Sequence, residues 1–183
     1  PQLRVSHTIY FIERSADRPP GVGIAALTDD IAVAIRAIIV RENLVDPFVD
    51  LAGSAFGGVS ALAVAARHPD LVRRVSINSA AHKLSDEGHD IVGGWLKLAA
   101  NQQWIRLADA MASRSFTGPR QLWGKTLSKC LLPLGGGVPQ FPEKLVQALT
   151  ATLGIDLSHE IDHIDVPVQI IGGAHDRLYP PEI

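Results

Sequence analysis

The stretch Gly53-Ser54-Ala55-Phe56-Gly57-Gly58 constrains this chain more than any other, because it dictates what must come before and after it. An apolar run, Pro47-Phe48-Val49-Asp50-Leu51-Ala52, leads in, and an alanine-rich segment from Phe56 to His68 leads out to Pro69. The first has the composition of a buried strand, predicted over Phe48–Ala52. The second carries Ala61, Ala63, Ala65 and Ala66, which give a slim helix able to lie close on a sheet. Pro69 stops that helix, since it lacks an N–H and its ring crowds the preceding turn. A strand that reverses sharply into a helix brings two backbones together, so small residues are needed two places before and two places after the centre. Gly53 and Gly57 fill those places and centre the bend on Ala55.

The rest of the chain repeats the alternation of strand and helix. Thr8-Ile9-Tyr10-Phe11-Ile12 is an apolar run expected to form a buried parallel strand. A loop from Glu13 to Gly23 follows. Leu27, Ile31, Ile35 and Ile38 then recur at helical spacing, with Thr28-Asp29-Asp30 placing acidic charge at the helix start. Val72–Asn78 and Val166–Gly172 read as further strands. The expected class is α/β, with a mainly parallel sheet flanked by helices. The interval from Ala80 to Asp165 breaks the rhythm with helical patches at Val92–Ala100, Trp104–Ser113, Arg120–Leu131 and Glu143–Leu153. The expectation is therefore an inserted helical cap, 81–163, on a core made of 1–80 and 164–183. Such a cap would cover the carboxyl ends of the strands, where open α/β sheets bind ligands.

Composition narrows the function classes. One domain of 183 residues, 46% hydrophobic and 20% charged, has enough chain for a sizeable core. A net charge of −2 gives no electrostatic case for nucleic acid or an anionic membrane as partner. Cys130 is the single cysteine, which excludes an internal disulfide and a thiolate metal cluster and fits a reducing, cytoplasmic setting. Pro1-Gln2-Leu3-Arg4-Val5 does not read as a signal peptide, and no apolar run has the length of a membrane span.

Three stretches carry a family resemblance beside the bend. Glu13-Arg14-Ser15-Ala16-Asp17-Arg18-Pro19-Pro20-Gly21 looks like a loop that follows a central strand. Ala65-Ala66-Arg67-His68-Pro69-Asp70-Leu71-Val72-Arg73-Arg74-Val75 is similar to a link from bend helix to next strand. Ile164 to Arg177, with Gly172-Gly173-Ala174-His175-Asp176, resembles a strand and loop that deliver a catalytic acid. Together these resemble the α/β-hydrolase superfamily, in particular its capped esterase and lactonase-like members. A G-x-S-x-G stretch between strand and helix is that superfamily's nucleophile elbow. The resemblance implies further strands and an oxyanion-hole loop before this chain's first residue, and a last strand and a histidine after its final one. Truncation at both ends is the expectation.

Carried over residue by residue, the resemblance puts Ala55 at the nucleophile position, without a hydroxyl, and Asp176 at the acid position. Phe56 would lend its backbone N–H to an oxyanion hole. Ser54 is the neighbouring hydroxyl, but Ala52 and bulky Phe56 flank it at the positions that need to be small. Asp176 also suits a turn, since aspartate caps turns with its own side chain. No histidine follows the acid, so no visible imidazole makes a good base. His82, at the end of a strand, is the histidine expected to reach a pocket. His159 and His163, four apart, lack a third ligand at a metal-binding spacing, and neither metal nor cofactor is expected. Trp95, Trp104 and Trp123 fall in the insertion and either pack it against the sheet or wall a pocket for a small-molecule or peptide-like substrate with apolar parts. Gly135-Gly136-Gly137 lacks the lysine and hydroxyl of a phosphate loop. Three readings stay open: an esterase-type hydrolase in which Ala55 is an engineered change, an enzyme that reuses the pocket for proton transfer such as epimerisation or cyclisation, and a non-catalytic ligand-binding protein.

Overall fold

Residues 7–13, 23–115 and 142–183 are described by the computed structural model. In chain order the elements are α1 (Ile24–Arg41), β1 (Val49–Ser54), α2 (Phe56–Arg67), β2 (Val72–Asn78), α3 (Asp86–Ala100), α4 (Trp104–Ser115), α5 (Pro142–Leu153) and β3 (Val168–Ile171). The three strands form one sheet in the order β1-β2-β3, parallel throughout. The expected α/β class with a mainly parallel sheet flanked by helices is what the structure shows.

Alternation along the strands gives the sheet two different faces. Val75 and Ile77 of β2 are buried under α2, which packs on both β1 and β2. On the other face, directly paired residues meet as polar couples: Arg74 donates to Asp50 (3.0 Å), Asn78 to Ser54 (3.4 Å) and Ser76 to Gln169 (3.1 Å). These exposed pairs hold register rather than supply much stability, since each is worth about 0–1 kcal/mol.

Small residues let α2 settle onto the sheet. Gly58 through Ala65 are all buried, with Ala63, Val64 and Ala65 at 0% exposure. A Cβ at Gly58 would lie 2.6 Å from the Ala80 Cβ, so glycine is required there. The helix ends where His68 N donates to Val64 O, immediately before Pro69. His68 also bonds Asp29 of α1 (3.0 Å), and Arg36 of α1 reaches Asp70 (3.3 Å), so α1 is tied to the far end of α2.

Two expectations about the amino-terminal third need correction. Thr8–Ile12 is extended but pairs with no strand, and Ile9, Phe11 and Ile12 are 45%, 90% and 42% exposed. An apolar run becomes a buried strand only where a neighbour accepts its backbone, and a cavity separates residues 10–13 from the outer edge of β1. The α1 helix starts at Ile24 rather than near Thr28, so Asp29 and Asp30 fall outside its first turn. Thr28 is instead fully buried, its hydroxyl donating to Ile24 O (2.7 Å).

The described parts of 81–163 carry three helices, α3, α4 and α5, of which α3 and α4 run longer than the periodicity gave. α3 begins at Asp86, well before Val92, and Ser85 caps it by accepting from Gly88 N (2.8 Å). Val92 and Ala99 of α3, Leu107 of α4 and Leu149 of α5 join the same buried cluster as Val75 and Ile77. The predicted patch Arg120–Leu131, with Trp123, lies outside the described residues, as do Gly135-Gly136-Gly137.

Candidate functional site

The parallel register lines up the carboxyl ends of the strands: Ser54 pairs with Asn78, and Asn78 with Ile171. One residue further on, Ala55 N donates to Asn78 O (3.0 Å) and Ser79 N donates to Ile171 O (2.8 Å). Ala55, Ser79 and Gly172 therefore leave the sheet side by side.

The backbone is strained at two of these three exits. Among the described residues, four non-glycine residues have positive φ: Asn43, Ala55, Ser79 and Gln102. Asn43 and Gln102 close α1 and α3, where a left-handed residue satisfies the last carbonyls, as Leu44 N to Ile39 O and Gln103 N to Leu98 O show. Neither Ala55 (φ 49°, ψ −124°), at the start of α2, nor Ser79 (φ 48°) closes a helix in this way. Such a conformation costs of order 1–3 kcal/mol and persists where the surroundings over-determine it.

What over-determines Ala55 is the crossing at Gly53. A Cβ on Gly53 would lie 2.2 Å from Gly57 O and 2.7 Å from Gly58 N, so the backbone of α2 passes where a side chain would be. Gly57 differs from the sequence expectation, since a Cβ there meets nothing within 4 Å. The tight position after the bend is Gly58, against Ala80. Gly58 N and Val59 N both donate to Ala55 O (2.9 and 3.1 Å), starting the helical ladder with Phe56 as its first residue. Ala55 is exposed, and Ser54 turns its hydroxyl to Asn78 on the face away from α2.

Asp176 lies in the loop after β3. Its Oδ1 accepts from Leu178 N (2.9 Å) and Tyr179 N (3.0 Å), so it caps its own turn, and Oδ2 takes no part in these bonds. No histidine among the described residues bonds to it. Tyr179 beneath the turn is 8% exposed, and burial, with the Asp176 charge adding, pushes its phenol up to about 12. His175 is exposed. His82 sits where the loop after β2 meets the segment after α5, its carbonyl accepting from Leu157 N (3.0 Å). Burial and the neighbouring Lys83 charge hold its imidazole below the ordinary histidine value, against the pull of Asp156.

Trp95 and Trp104 are partly buried and pack against the core cluster. Trp123 lies outside the described residues. His159 and His163 do not share an α-helix, as only Ile161–His163 forms a short 3-10 turn. No cluster of metal-binding side chains occurs among the described residues. A cavity of about 660 Å³ opens beside the outer edge of β1, between α1 and residues 10–13, lined by Tyr10, Ile12, Leu27, Ile31, Leu51 and Phe56. It touches the bend at Phe56 and Gly57 but excludes Ala55, His82 and Asp176, so the strand exits rather than this groove define the candidate site.

Sequence reasoning did not single out Ser79 or Ser85. No local signal marks Ser79, whose position follows from strand register. Ser85 did carry a signal: serine before Asp86-Glu87 is an N-cap followed by an acidic first turn.

Similarity to known proteins agrees with this geometry. No family model matches the chain. It is 30% identical to a pimeloyl-[acyl-carrier protein] methyl ester esterase of Neisseria meningitidis serogroup B, across 90% of this chain and 64% of that protein. A serogroup A protein of the same name is 28% identical, with 53% of its length matched. The chain thus spans between about half and two thirds of the length of the curated relatives it matches. Among solved structures, it is similar to the enol-lactonase from Burkholderia xenovorans (TM-score 0.71, 23% identity, 91% of this chain and 60% of that one). It is also similar to an alpha/beta hydrolase enzyme from a Medee basin deep-sea metagenome library (TM-score 0.67, 20% identity, 82% and 56%).

Proposed function

We propose that the chain is a member of the α/β-hydrolase superfamily, an esterase-type scaffold that binds an ester without forming an acyl-enzyme. Ala55 takes the nucleophile's place, Phe56 N–H serves the oxyanion side, and Asp176 holds the acid position. Residues 81–163 act as the cap. The ligand is a small or medium molecule with an apolar part, in keeping with the pimeloyl methyl ester named for the relatives. Ala55 at φ 49°, ψ −124°, between β1 and α2, carries the reading, because the strained bend that presents a nucleophile is retained while the oxygen is absent.

Losing a serine nucleophile removes about 10⁶-fold in turnover, roughly 8 kcal/mol, and leaves about 10³-fold over water from positioning and oxyanion contacts. The test is ester cleavage by the full-length protein with p-nitrophenyl butyrate. Wild type is expected at no more than about 10³-fold above the buffer rate, and Ala55→Ser at least about 10³-fold above wild type. Asp176→Asn in the Ala55→Ser background should then cost about 10²-fold or more. Saturable hydrolysis by wild type, with no gain from Ala55→Ser, contradicts the reading.

A further inference from the structure

The loop that carries Asp176 is held from outside by the start of α3. Ser85 N donates to Leu178 O (3.0 Å), and Ser85 Oγ donates to Arg177 O (2.7 Å) while accepting from Gly88 N (2.8 Å). Arg177 pairs with Glu87 in the first turn of the same helix. Gly88 leaves the space, since a Cβ there would sit 2.9 Å from Leu178 O. Residues 177 and 178 thus have both carbonyls bound by one serine, and the next two amides, Leu178 and Tyr179, are bound by Asp176 Oδ1. On the far side, Tyr179 is locked into the core.

We infer that Ser85 is a positioning residue that fixes the Asp176 carboxylate through the carbonyls of Arg177 and Leu178, so that the helical insertion and the acid loop move as one body. The hydroxyl does two jobs with a single oxygen. As acceptor it caps α3, and as donor it clamps the loop, so any shift of the α3 start is passed to Asp176. Glu87–Arg177 is the exposed reinforcement, screened by solvent and secondary to the serine. The clamp is geometric; the meaning of Asp176 as an acid rests on the functional reading above.

Amide exchange at Leu178 and Tyr179 reads the clamp directly, because those N–H groups point at the Asp176 carboxylate. Ser85→Gly keeps a residue tolerated at a helix N-cap yet removes the bridging oxygen. Exchange of the two amides should rise about tenfold or more in Ser85→Gly and Ser85→Ala, return to within about threefold of wild type in Ser85→Thr, and stay unchanged at Ile77. In the Ala55→Ser background, Ser85→Gly should lower kcat about tenfold with KM within about twofold, and Ser85→Thr should restore it. Unchanged exchange at Leu178 and Tyr179 in a folded Ser85→Gly protein overturns the inference. A null turnover in Ala55→Ser itself overturns the functional reading instead and leaves the exchange result to decide the clamp.

Discussion

A single missing Cβ sets the geometry of the bend: Gly53 admits the backbone of Gly57 and Gly58, and the strain of that crossing falls on Ala55. Gly53→Ala is therefore expected to destabilise the fold by roughly 3 kcal/mol or more, as overpacking against backbone allows no side chain to yield. Gly57→Ala, inside a helix and facing open space, should change stability by under about 1 kcal/mol, on the favourable side. Urea midpoints of the two variants check the pair. Tyr179 adds a pH dependence. Its folded pKa near 12 stands above the ordinary value of 10.0, so its contribution is complete below about pH 10 and is lost as pH rises through about 12. The loss is at most about 2–3 kcal/mol, and Tyr179→Phe should flatten that alkaline slope in a series of melts. The centre of the bend was legible from residue spacing alone. Gly57 and Gly58 were not distinguishable there, because which glycine is crowded depends on Ala80, far along the chain.

Among the elements, β2 was legible to the residue and residues 8–12 were not, for one physical reason. Val72–Asn78 alternates polar and apolar residues from Arg74 onward, and it lies between two partners that take its backbone on both sides. Thr8–Ile12 is the more apolar run but pairs with no described strand, and Ile9, Phe11 and Ile12 stay exposed. Local sequence gives the propensity; the ladder supplies the strand. The same contrast predicts unequal costs for equal substitutions. Ile77→Ala in β2, at 0% exposure, should cost about 2–5 kcal/mol. Ile170→Ala in β3, at 62% exposure, should stay within about 0.5 kcal/mol in the same denaturation assay. The α3 start was also readable, as Ser85-Asp86-Glu87, whereas its contact with Leu178 crosses the whole insertion and has no local trace.

For the whole molecule, the buried cluster runs without a break from the sheet through α2 into α3, α4 and α5. The helical insertion is separate in sequence but shares one core with the sheet. Leu149→Ala in α5 is thus expected to lower a single unfolding transition, with fluorescence and circular dichroism midpoints coinciding; two resolved transitions would show an independently folding insertion. Among the described residues no helix is long and apolar enough to cross a membrane. The described sheet is least covered at β3, whose four residues are all exposed, and on the open face bearing Asp50, Ser54 and Asn78.

Covalent trapping tests the central claim most directly. A fluorophosphonate ester forms a stable adduct only with an activated hydroxyl, and peptide mapping by mass spectrometry then locates it. Wild type should remain unmodified, while Ala55→Ser should gain one adduct on residue 55. An adduct on Ser54, Ser79 or any other native hydroxyl of wild type, together with ester turnover, would contradict the account.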